Sequence, residues 1–223
     1  MIIAVASHKG GVGKSTTAVH LAAYLSEKGA TILVDGDDNR SATLWASKGK
    51  LPFRVVAERQ AAKYAREADH IVMDTNARAG KDELREIADG CDLLVVPTIP
   101  DAMSLDATLV TVRDLANLGG EGKFKILLTI CPPPPITEAQ QAREAIEAAG
   151  LPIFRAQIRR LMSFSRACSE GLTVDMLKDA RAPLGWLDYM LVGKEIEAEV
   201  SGRPGSQSPR RPVDQATGRS SSR

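Results

Sequence analysis

A glycine-rich segment near the N-terminus, KGGVGKST at residues 9–16, limits the possible folds more than any other part of the chain. It follows a short apolar run at residues 2–6 and precedes a segment with apolar residues at helical spacing that ends at Gly29. In a glycine-rich turn between a buried strand and a helix, backbone N–H groups surround phosphate oxygens and the helix N-terminus adds partial positive charge. The sequence therefore predicts a phosphate-binding loop, or P-loop, in an α/β protein.

The residue types of this loop suit a nucleotide and a magnesium ion. We expect Lys14 to reach the β- and γ-phosphates and the hydroxyl of Ser15 to ligate Mg²⁺. The glycines allow the backbone to approach the phosphates closely. The residues predicted to bind the nucleotide are Gly10, Gly11, Val12, Gly13, Lys14, Ser15 and Thr16.

Beyond the loop, apolar runs alternate with helical patterns. The runs predict buried strands at residues 31–35, 70–74, 92–97, 124–130 and 152–158, and the patterns predict helices at 81–89, 102–117, 137–149 and 183–199. This alternation implies one α/β domain, residues 1–200, with a mostly parallel twisted sheet that helices cover on both faces. Ligands of such sheets bind beyond the carboxyl ends of the strands, so polar residues there are the candidate site residues.

His8 makes this loop a variant of the general pattern G-x-x-x-x-G-K-[ST], which has glycine at position 8. As K-G-G-x-G-K-[ST], residues 9–15 resemble the deviant Walker A motif of the ParA/MinD family of ATPases. The resemblance implies an ATP-bound homodimer in which Lys9 crosses the interface and contacts the phosphates bound by the partner subunit. Such a cation would make dimerisation depend on ATP and would stabilise charge that develops on the phosphates. The alternative is an ordinary basic, flexible turn.

A second segment, VDGDDNRSATLW at residues 34–45, resembles the D-x-D-P-Q switch I of ParA proteins. Asp35 and Asp37 match its two aspartates, whereas Asp38 and Asn39 replace Pro and Gln. The resemblance implies that Asp35 belongs to the magnesium shell and that Asp37 orients or deprotonates the attacking water. A carboxylate suits this role because phosphoryl transfer depends on positioning and charge control. The alternative is a solvated acidic turn that caps the helix after it.

Further segments resemble the same family. Asp74 ends the run HIVMD, where a carboxylate suits a Walker B position that holds the Mg²⁺ hydration shell. The following TNARAG, residues 75–80, stands at the position of switch II but lacks its prolines. Residues 97–115 resemble a proline-containing loop and a helix at the dimer face, and CPPPP at 131–135 stands at the adenine-side loop. The resemblance covers about residues 1–195.

Residues 158–174 resemble the segment that follows the last long strand of small ParA proteins, and cationic side chains gather in and around it. Cations that converge from a dimer would bind the phosphate backbone of double-stranded DNA without reading its bases, so the affinity would fall steeply with salt. Scattered surface cations are the alternative. The predicted DNA-binding residues are Arg155, Arg159, Arg160, Arg166, Lys178 and Arg181.

Residues 201–223 differ from the rest of the chain in composition. They hold five arginines against one aspartate and are rich in Ser, Gly and Pro. Because they contain few apolar residues to bury, we predict a disordered basic tail. Its arginines either assist contact with nucleic acid or an acidic partner, or form a solvated tail without a role.

The remaining composition argues against several related activities. The three cysteines have no C-x-x-C spacing, which favours a reducing cytoplasm and disfavours an iron–sulfur carrier. No stretch approaches about 20 apolar residues. The acidic GKEIEAEV before the tail lacks the basic amphipathic character that would hold a MinD-type protein at a membrane. The tail also lacks the tyrosine cluster of the bacterial tyrosine kinases of this superfamily.

These features predict a cytoplasmic, nucleoid-associated ATPase of the ParA type. It would use ATP and Mg²⁺, form a homodimer with ATP, bind DNA non-specifically, and hydrolyse ATP slowly until a partner stimulates it. An adaptor protein, ParB-like or specific for an organelle, would link it to a cargo such as a plasmid, a chromosome or a carboxysome. The alternative is a metabolic P-loop enzyme, an ATP-dependent small-molecule ligase or kinase.

Overall fold

The computed structural model describes residues 1–7, 9–77, 81–115 and 122–202. Within these ranges the chain forms six β-strands: β1 (Ile2–Ser7), β2 (Thr31–Asp35), β3 (Arg54–Ala57), β4 (His70–Ala77), β5 (Leu93–Thr98) and β6 (Phe124–Leu128). The eight α-helices of the same ranges are α1 (Lys14–Ser26), α2 (Ser41–Ala46), α3 (Ala61–Ala65), α4 (Lys81–Gly90), α5 (Ala102–Leu115), α6 (Glu138–Ala148), α7 (Met162–Glu170) and α8 (Ala182–Ser201).

The strands form one sheet in the order β3-β2-β4-β1-β5-β6, and every neighbouring pair is parallel. The central strands are continuous apolar runs because helices cover both faces of a parallel sheet. Every residue of β5 and all but the first of β1 are buried. The arrangement confirms the predicted α/β domain with its parallel sheet.

Helices bury the two faces of the sheet in separate hydrophobic cores. On one face, the core joins the sheet to α1 and α8, with Val19, Leu33 and Tyr189 among its buried residues. On the other face, the core joins the sheet to α4, α5 and α6, with Leu94 and Ile146 among its buried residues. Because all six strands run parallel, the loops that follow β1, β2, β4, β5 and β6 meet at one edge of the sheet.

The prediction of a strand at residues 152–158 is wrong. The segment lies beside β6, where the Phe154 amide donates to the Ile126 carbonyl at 2.9 Å and the Ile158 amide to the Leu128 carbonyl at 2.8 Å. Four residues of the segment thus match two residues of β6, so the segment bulges and cannot form a regular ladder. Isolated bridges take the place of the strand.

The sequence patterns do not predict β3, which pairs with β2 at the edge of the sheet. Its four residues begin at the exposed Arg54 and include one fully buried side chain, Val56. So short an edge strand gives neither a long apolar run nor a clear alternation, and sequence periodicity does not reveal it.

The predicted boundary between domain and tail lies near the end of α8, which extends to Ser201. The predicted disordered basic tail, from residue 203 onward, lies outside the described residues, as do His8 and residues 78–80 of the predicted switch II. The last two residues of the helix predicted at 102–117 lie outside them as well. No helix of the described residues combines the length and the apolar character that crossing a lipid bilayer requires.

Candidate nucleotide-binding site

The loop between β1 and α1 has the backbone geometry of a P-loop. Gly11 and Gly13 have φ angles of 78° and 83°, in the left-handed region that glycine adopts without steric cost. Gly13 is the N-cap of α1, and no side chain of the described residues caps this helix. The first amides of α1 are therefore available to a phosphate at the positive end of the helix dipole.

Thr129, directly after β6, fixes the rear of this loop. Its buried hydroxyl lies 2.8 Å from the Val12 carbonyl oxygen and 3.1 Å from the Thr98 carbonyl oxygen. The hydroxyl has one proton to donate and serves one of these acceptors at a time. Sequence reasoning missed Thr129 because 117 residues separate it from Val12 and no motif marks the contact.

The two lysines of the loop have different environments. Lys14 is the first residue of α1 and is buried. The Lys9 side chain is 41% exposed, and its Nζ lies 2.5 Å from Ser104 Oγ and 3.7 Å from Asp101 Oδ1. Lys9 therefore contacts the start of α5 and remains accessible to a second molecule, while Lys14 lies within the site.

Asp101 organises the start of α5 around Lys9. Its Oδ1 accepts a hydrogen bond from the Ser104 amide at 2.9 Å, which makes it the N-cap of that helix. The hydrogen bonds from Ser104, together with the Lys9 ammonium, hold the pKa of Asp101 below its usual range, so the carboxylate stays charged. The sequence contains a signal for this cap, an Asp immediately before a helical apolar pattern.

Asp74, on β4, is a buried carboxylate. Burial raises its pKa to about 7, although the neighbouring Ser15 hydroxyl and Lys14 ammonium oppose the shift. No hydrogen bond of ordinary geometry reaches either Asp74 oxygen from the described residues. Buried polar atoms normally have partners, and a hydrated cation would satisfy this carboxylate. Ser15 and Asp74 therefore fit the predicted magnesium site.

The described residues contain no group of three or more His, Cys, Asp or Glu side chains that could hold a metal ion by itself. Mg²⁺ usually keeps several waters and binds through one or two protein side chains together with nucleotide phosphates. A site built from the Ser15 hydroxyl, the Asp74 carboxylate and the phosphates has this character.

Asp35 has protein partners for both carboxylate oxygens. Its Oδ2 accepts hydrogen bonds from the Thr43 amide at 2.7 Å and the Thr43 hydroxyl at 2.5 Å, and its Oδ1 accepts one from the Asp37 amide at 3.3 Å. Asp35 thus stabilises the first turn of α2, as the alternative interpretation of this segment requires, but both Asp35 and Asp37 are buried, whereas that interpretation expects a solvated turn. A role of Asp35 in the magnesium shell would run through water, and it stays a prediction.

Asp37 is buried, and Asn39 holds its carboxylate. The backbone amide and the side-chain amide of Asn39 both donate to Asp37 Oδ1, at 3.1 and 3.2 Å. The Arg40 amide donates to the Asp37 carbonyl at 2.8 Å, which closes a β-turn over residues 37–40. Asn39, at the position of Gln in the ParA motif, therefore orients the carboxylate that is predicted to act on the attacking water.

Two of the predicted DNA-binding arginines form ion pairs within the chain. Arg159 Nε and Nη2 lie 2.8 and 2.7 Å from the two oxygens of Asp188, a bidentate pair that raises the pKa of Arg159. Arg166 Nη1 lies 2.7 Å from Asp179 Oδ2. Their charges are therefore partly neutralised before any DNA arrives.

The other four predicted DNA-binding residues are exposed: Arg155, Arg160, Lys178 and Arg181. The Arg181 backbone amide and the Arg166 guanidinium both donate to the Asp179 carboxylate, so these two residues meet at one acidic side chain. Arg155 and Arg160 lie on the segment beside β6. Contact of these cations with DNA stays a prediction.

The sheet register brings the predicted motifs together. Asp74 on β4 is flanked by Val5 of β1, which leads into the P-loop, and by Asp35 of β2, which leads into switch I. The predicted adenine-side loop follows β6 at the same edge, and its residues 133–135 are exposed. The P-loop, the predicted switch I and the predicted Walker B carboxylate thus lie together at the carboxyl ends of the strands.

Known proteins are similar to this chain in sequence. The family model described as the CobQ/CobB/MinD/ParA nucleotide binding domain matches residues 3–174. "Maintenance of carboxysome distribution protein A" of Gloeobacter kilaueensis is 33% identical over 209 residues, which cover 89% of this chain and 94% of that protein. "Protein ParA" of Rhizobium radiobacter is 37% identical over 118 residues, which cover 48% of this chain and 52% of that protein.

Solved structures have the same fold. Apo McdA of Cyanothece has a TM-score of 0.67 at 14% identity and covers 89% of this chain and 98% of its own. The MinD cell division protein of Aquifex aeolicus has a TM-score of 0.67 at 14% identity and covers 88% of this chain and 97% of its own. The fold, the P-loop geometry and the match over most of the length show that this chain belongs to the CobQ/CobB/MinD/ParA family of nucleotide-binding domains.

Proposed function

We propose that this protein is a ParA-type ATPase that binds ATP with Mg²⁺, forms an ATP-dependent homodimer and positions a cargo through an adaptor protein. Relatives named for carboxysome distribution and for ParA support a positioning role. The carboxysome-named relative aligns over 94% of its length and the ParA relative over 52%.

The observation that carries this proposal is the pair of lysines on one P-loop. A nucleotide needs one lysine of the loop for its β- and γ-phosphates, and the buried Lys14 occupies that position. Lys9 is partly exposed and contacts Ser104 on α5 instead. It is therefore suited to reach a nucleotide that a partner subunit binds.

Each part of the site has a role in ATP hydrolysis under this proposal. The α1 N-terminus and Lys14 bind the phosphates, and Ser15 and Asp74 hold Mg²⁺, which neutralises phosphate charge when bound. Asp37, oriented by Asn39, positions the attacking water. Lys9 of one subunit stabilises charge on the nucleotide of the other.

The proposed cycle uses the bacterial nucleoid as its track. Dimerisation doubles the cationic surface, so the ATP form holds DNA more tightly than the ADP form. Slow intrinsic hydrolysis keeps the dimer bound for long, and the adaptor accelerates release. The four exposed cations, Arg155, Arg160, Lys178 and Arg181, supply most of the DNA contact.

Fluorescence anisotropy with random-sequence duplex DNA tests this function. The Asp37→Ala variant should bind ATP, hydrolyse it far more slowly than the wild type and accumulate as the DNA-binding dimer. With ATP the affinity of this dimer should fall roughly 10,000-fold between about 50 and 200 mM salt, as expected for about eight phosphate contacts, four from each subunit. With ADP its binding should be much weaker at every salt concentration.

Variants of exposed cations sharpen this test. Arg160→Ala combined with Lys178→Ala should weaken DNA binding and reduce the salt dependence, whereas Lys50→Ala, which removes an exposed lysine between α2 and β3, should not. Equal binding in ATP and ADP, or no binding at low salt, would remove DNA as the track. That result would favour the metabolic P-loop enzyme.

A further inference from the structure

The segment that follows β2 stays attached to β4 after the regular ladder between the two strands has ended. The Gly36 amide donates to the Asp74 carbonyl oxygen at 2.8 Å. The Asn76 side-chain amide donates to Asp38 Oδ2 at 2.7 Å. Asp37 therefore lies between two residues that are each bonded to β4.

The backbone approach at Gly36 is close. A Cβ atom at this position would lie 3.2 Å from the Asp74 carbonyl oxygen, closer than an ordinary van der Waals contact. The close contact of Gly36 with Asp74 fixes the backbone on the N-terminal side of Asp37. On the C-terminal side, Asp38 is exposed and belongs to a turn outside the sheet. On that side the hydrogen bond from Asn76 is the attachment to β4.

Asp38 stands where a proline would give the same restraint. It is the second residue of the β-turn 37–40, a position that favours proline because the ring fixes φ. The D-x-D-P-Q motif, which this segment resembles, has proline there, and this chain has neither that proline nor one in residues 75–80. In this chain, the hydrogen bond between the Asp38 and Asn76 side chains holds the turn against β4, where a proline would instead fix the backbone of the turn itself.

We propose that Asp38 and Asn76 form a positioning pair that fixes Asp37 against β4 and thereby sets the rate of ATP hydrolysis. The proposal rests on the proposed ATPase function. Among the described residues, neither side chain of the pair is bonded to the P-loop, so the pair acts on the placement of the Asp37 carboxylate relative to Asp74 and leaves phosphate binding to Lys14 and α1.

Steady-state kinetics on single and double variants test the pair. Asn76→Ala and Asp38→Ala should each lower kcat about tenfold, the order expected when one hydrogen bond to a charged group is lost. The KM for ATP should change less than about twofold, because the phosphate contacts remain. The double variant should be no slower than either single variant, since all three lack the same bond.

The matched control is Glu67→Ala, which removes an exposed carboxylate before the opposite end of β4 and should keep wild-type kcat. Unchanged kcat in the single variants would overturn the proposal. So would a double variant whose loss equals the product of the two single losses.

Rescue by proline separates positioning from general destabilisation. In the Asn76→Ala background, Asp38→Pro restores a restraint at the second turn position and should return kcat to within about threefold of the wild type. The proposal would be overturned if the Asn76→Ala, Asp38→Pro double variant had a wild-type melting temperature but kept the low kcat of Asn76→Ala.

Hydrogen–deuterium exchange gives a readout that needs no nucleotide. In the nucleotide-free protein, Asn76→Ala should speed exchange of the amides of residues 36–40 several-fold, and Glu67→Ala should not. Equal exchange in Asn76→Ala and wild type would refute the pair. A wild type without ATPase activity would refute the proposed function instead, whereas an active wild type matched by Asn76→Ala in kcat and exchange would refute only this inference.

Discussion

Lys14 combines burial with a position at the first turn of α1, where a helix N-terminus already favours an anion. Its ammonium is also close enough to Asp74 to oppose the raised pKa of that carboxyl. The side chain therefore lies near the carboxylate expected to hold the metal and at the helix end expected to bind phosphate, which explains why a cation is buried here.

Removal of Lys14 should strongly weaken nucleotide binding. Lys14→Ala loses charge-assisted hydrogen bonds of about 3 kcal/mol, so the affinity for ATP with Mg²⁺ should fall about 100-fold or more. Isothermal titration calorimetry measures this affinity, and Lys50→Ala, which removes an exposed lysine away from the loop, should bind as the wild type does. Wild-type affinity in Lys14→Ala would refute the P-loop assignment.

Some residues of the site can be predicted from the sequence and others cannot. Lys14 and Asp74 were identifiable because a local pattern and a strand end mark them. Thr129 and Ser104 were not, because they reach the P-loop from 117 and 95 residues away and belong to no motif. Thr43 is only eight residues from Asp35, but its contact depends on how α2 turns back onto β2.

At the level of elements, the sequence predicts whether an apolar run is buried better than it predicts how that run pairs with a neighbouring strand. The segment at 152–158 buries Phe154 and Ile158, as a strand would, and its pattern is that of a strand. The bulge depends on where the carbonyl groups of β6 meet the amides of this segment. The sequence of the segment itself holds no information about those positions.

His20 of α1 has partners at both ring nitrogens and joins this helix to the segment before α8. Its Nδ1 lies 2.7 Å from the Thr16 carbonyl oxygen, and its Nε2 accepts a hydrogen bond from the Val174 amide at 3.0 Å. The ring stacks on Tyr189 with centroids 4.8 Å apart. Burial lowers the pKa of His20 to about 4, so the neutral ring with its proton on Nδ1 fits this site.

This histidine should make stability depend on pH. Its folded pKa of about 4 lies below the unfolded value of 6.5, so its contribution is present above pH 6.5 and is lost as the pH falls toward 4. Between about pH 7.5 and 5 the free energy of unfolding should drop by about 2 kcal/mol from this group alone.

Urea denaturation of the wild type and His20→Gln at both pH values measures this contribution. The variant should be less stable at the higher pH, because it loses the stacked ring, and its stability should fall less between the two pH values. An equal drop in both proteins would contradict the assigned role of His20.

For the molecule as a whole, the surface around Lys9 suits a second subunit. Met103 and Val110 of α5 are 80% and 61% exposed and lie seven residues apart, so they share one face of the helix. Exposed apolar side chains beside a partly exposed cation are typical of a protein interface. In the proposed homodimer, Lys9 would exchange its contact with Ser104 for a phosphate bound by the partner.

Fewer cations are available to DNA on the proposed binding surface than the sequence predicts. The ion pairs of Arg159 with Asp188 and of Arg166 with Asp179 reduce the charge that these arginines offer to DNA. The sequence could identify a cluster of cations between residues 155 and 181, but it could not show which of them face an aspartate. That distinction depends on how α8 and the loop before it pack against the cluster.

The central claim is that Lys9 makes dimerisation depend on ATP, and light scattering with Mg²⁺ and a non-hydrolysable ATP analogue measures it most directly. The wild type should change from a monomer of 23.9 kDa to a species of twice that mass when the analogue is added. Lys9→Ala should bind the analogue with near wild-type affinity by calorimetry and remain a monomer, whereas Lys50→Ala should dimerise as the wild type does. A Lys9→Ala variant that dimerises normally, or a wild type that stays monomeric with the analogue bound, would contradict the claim.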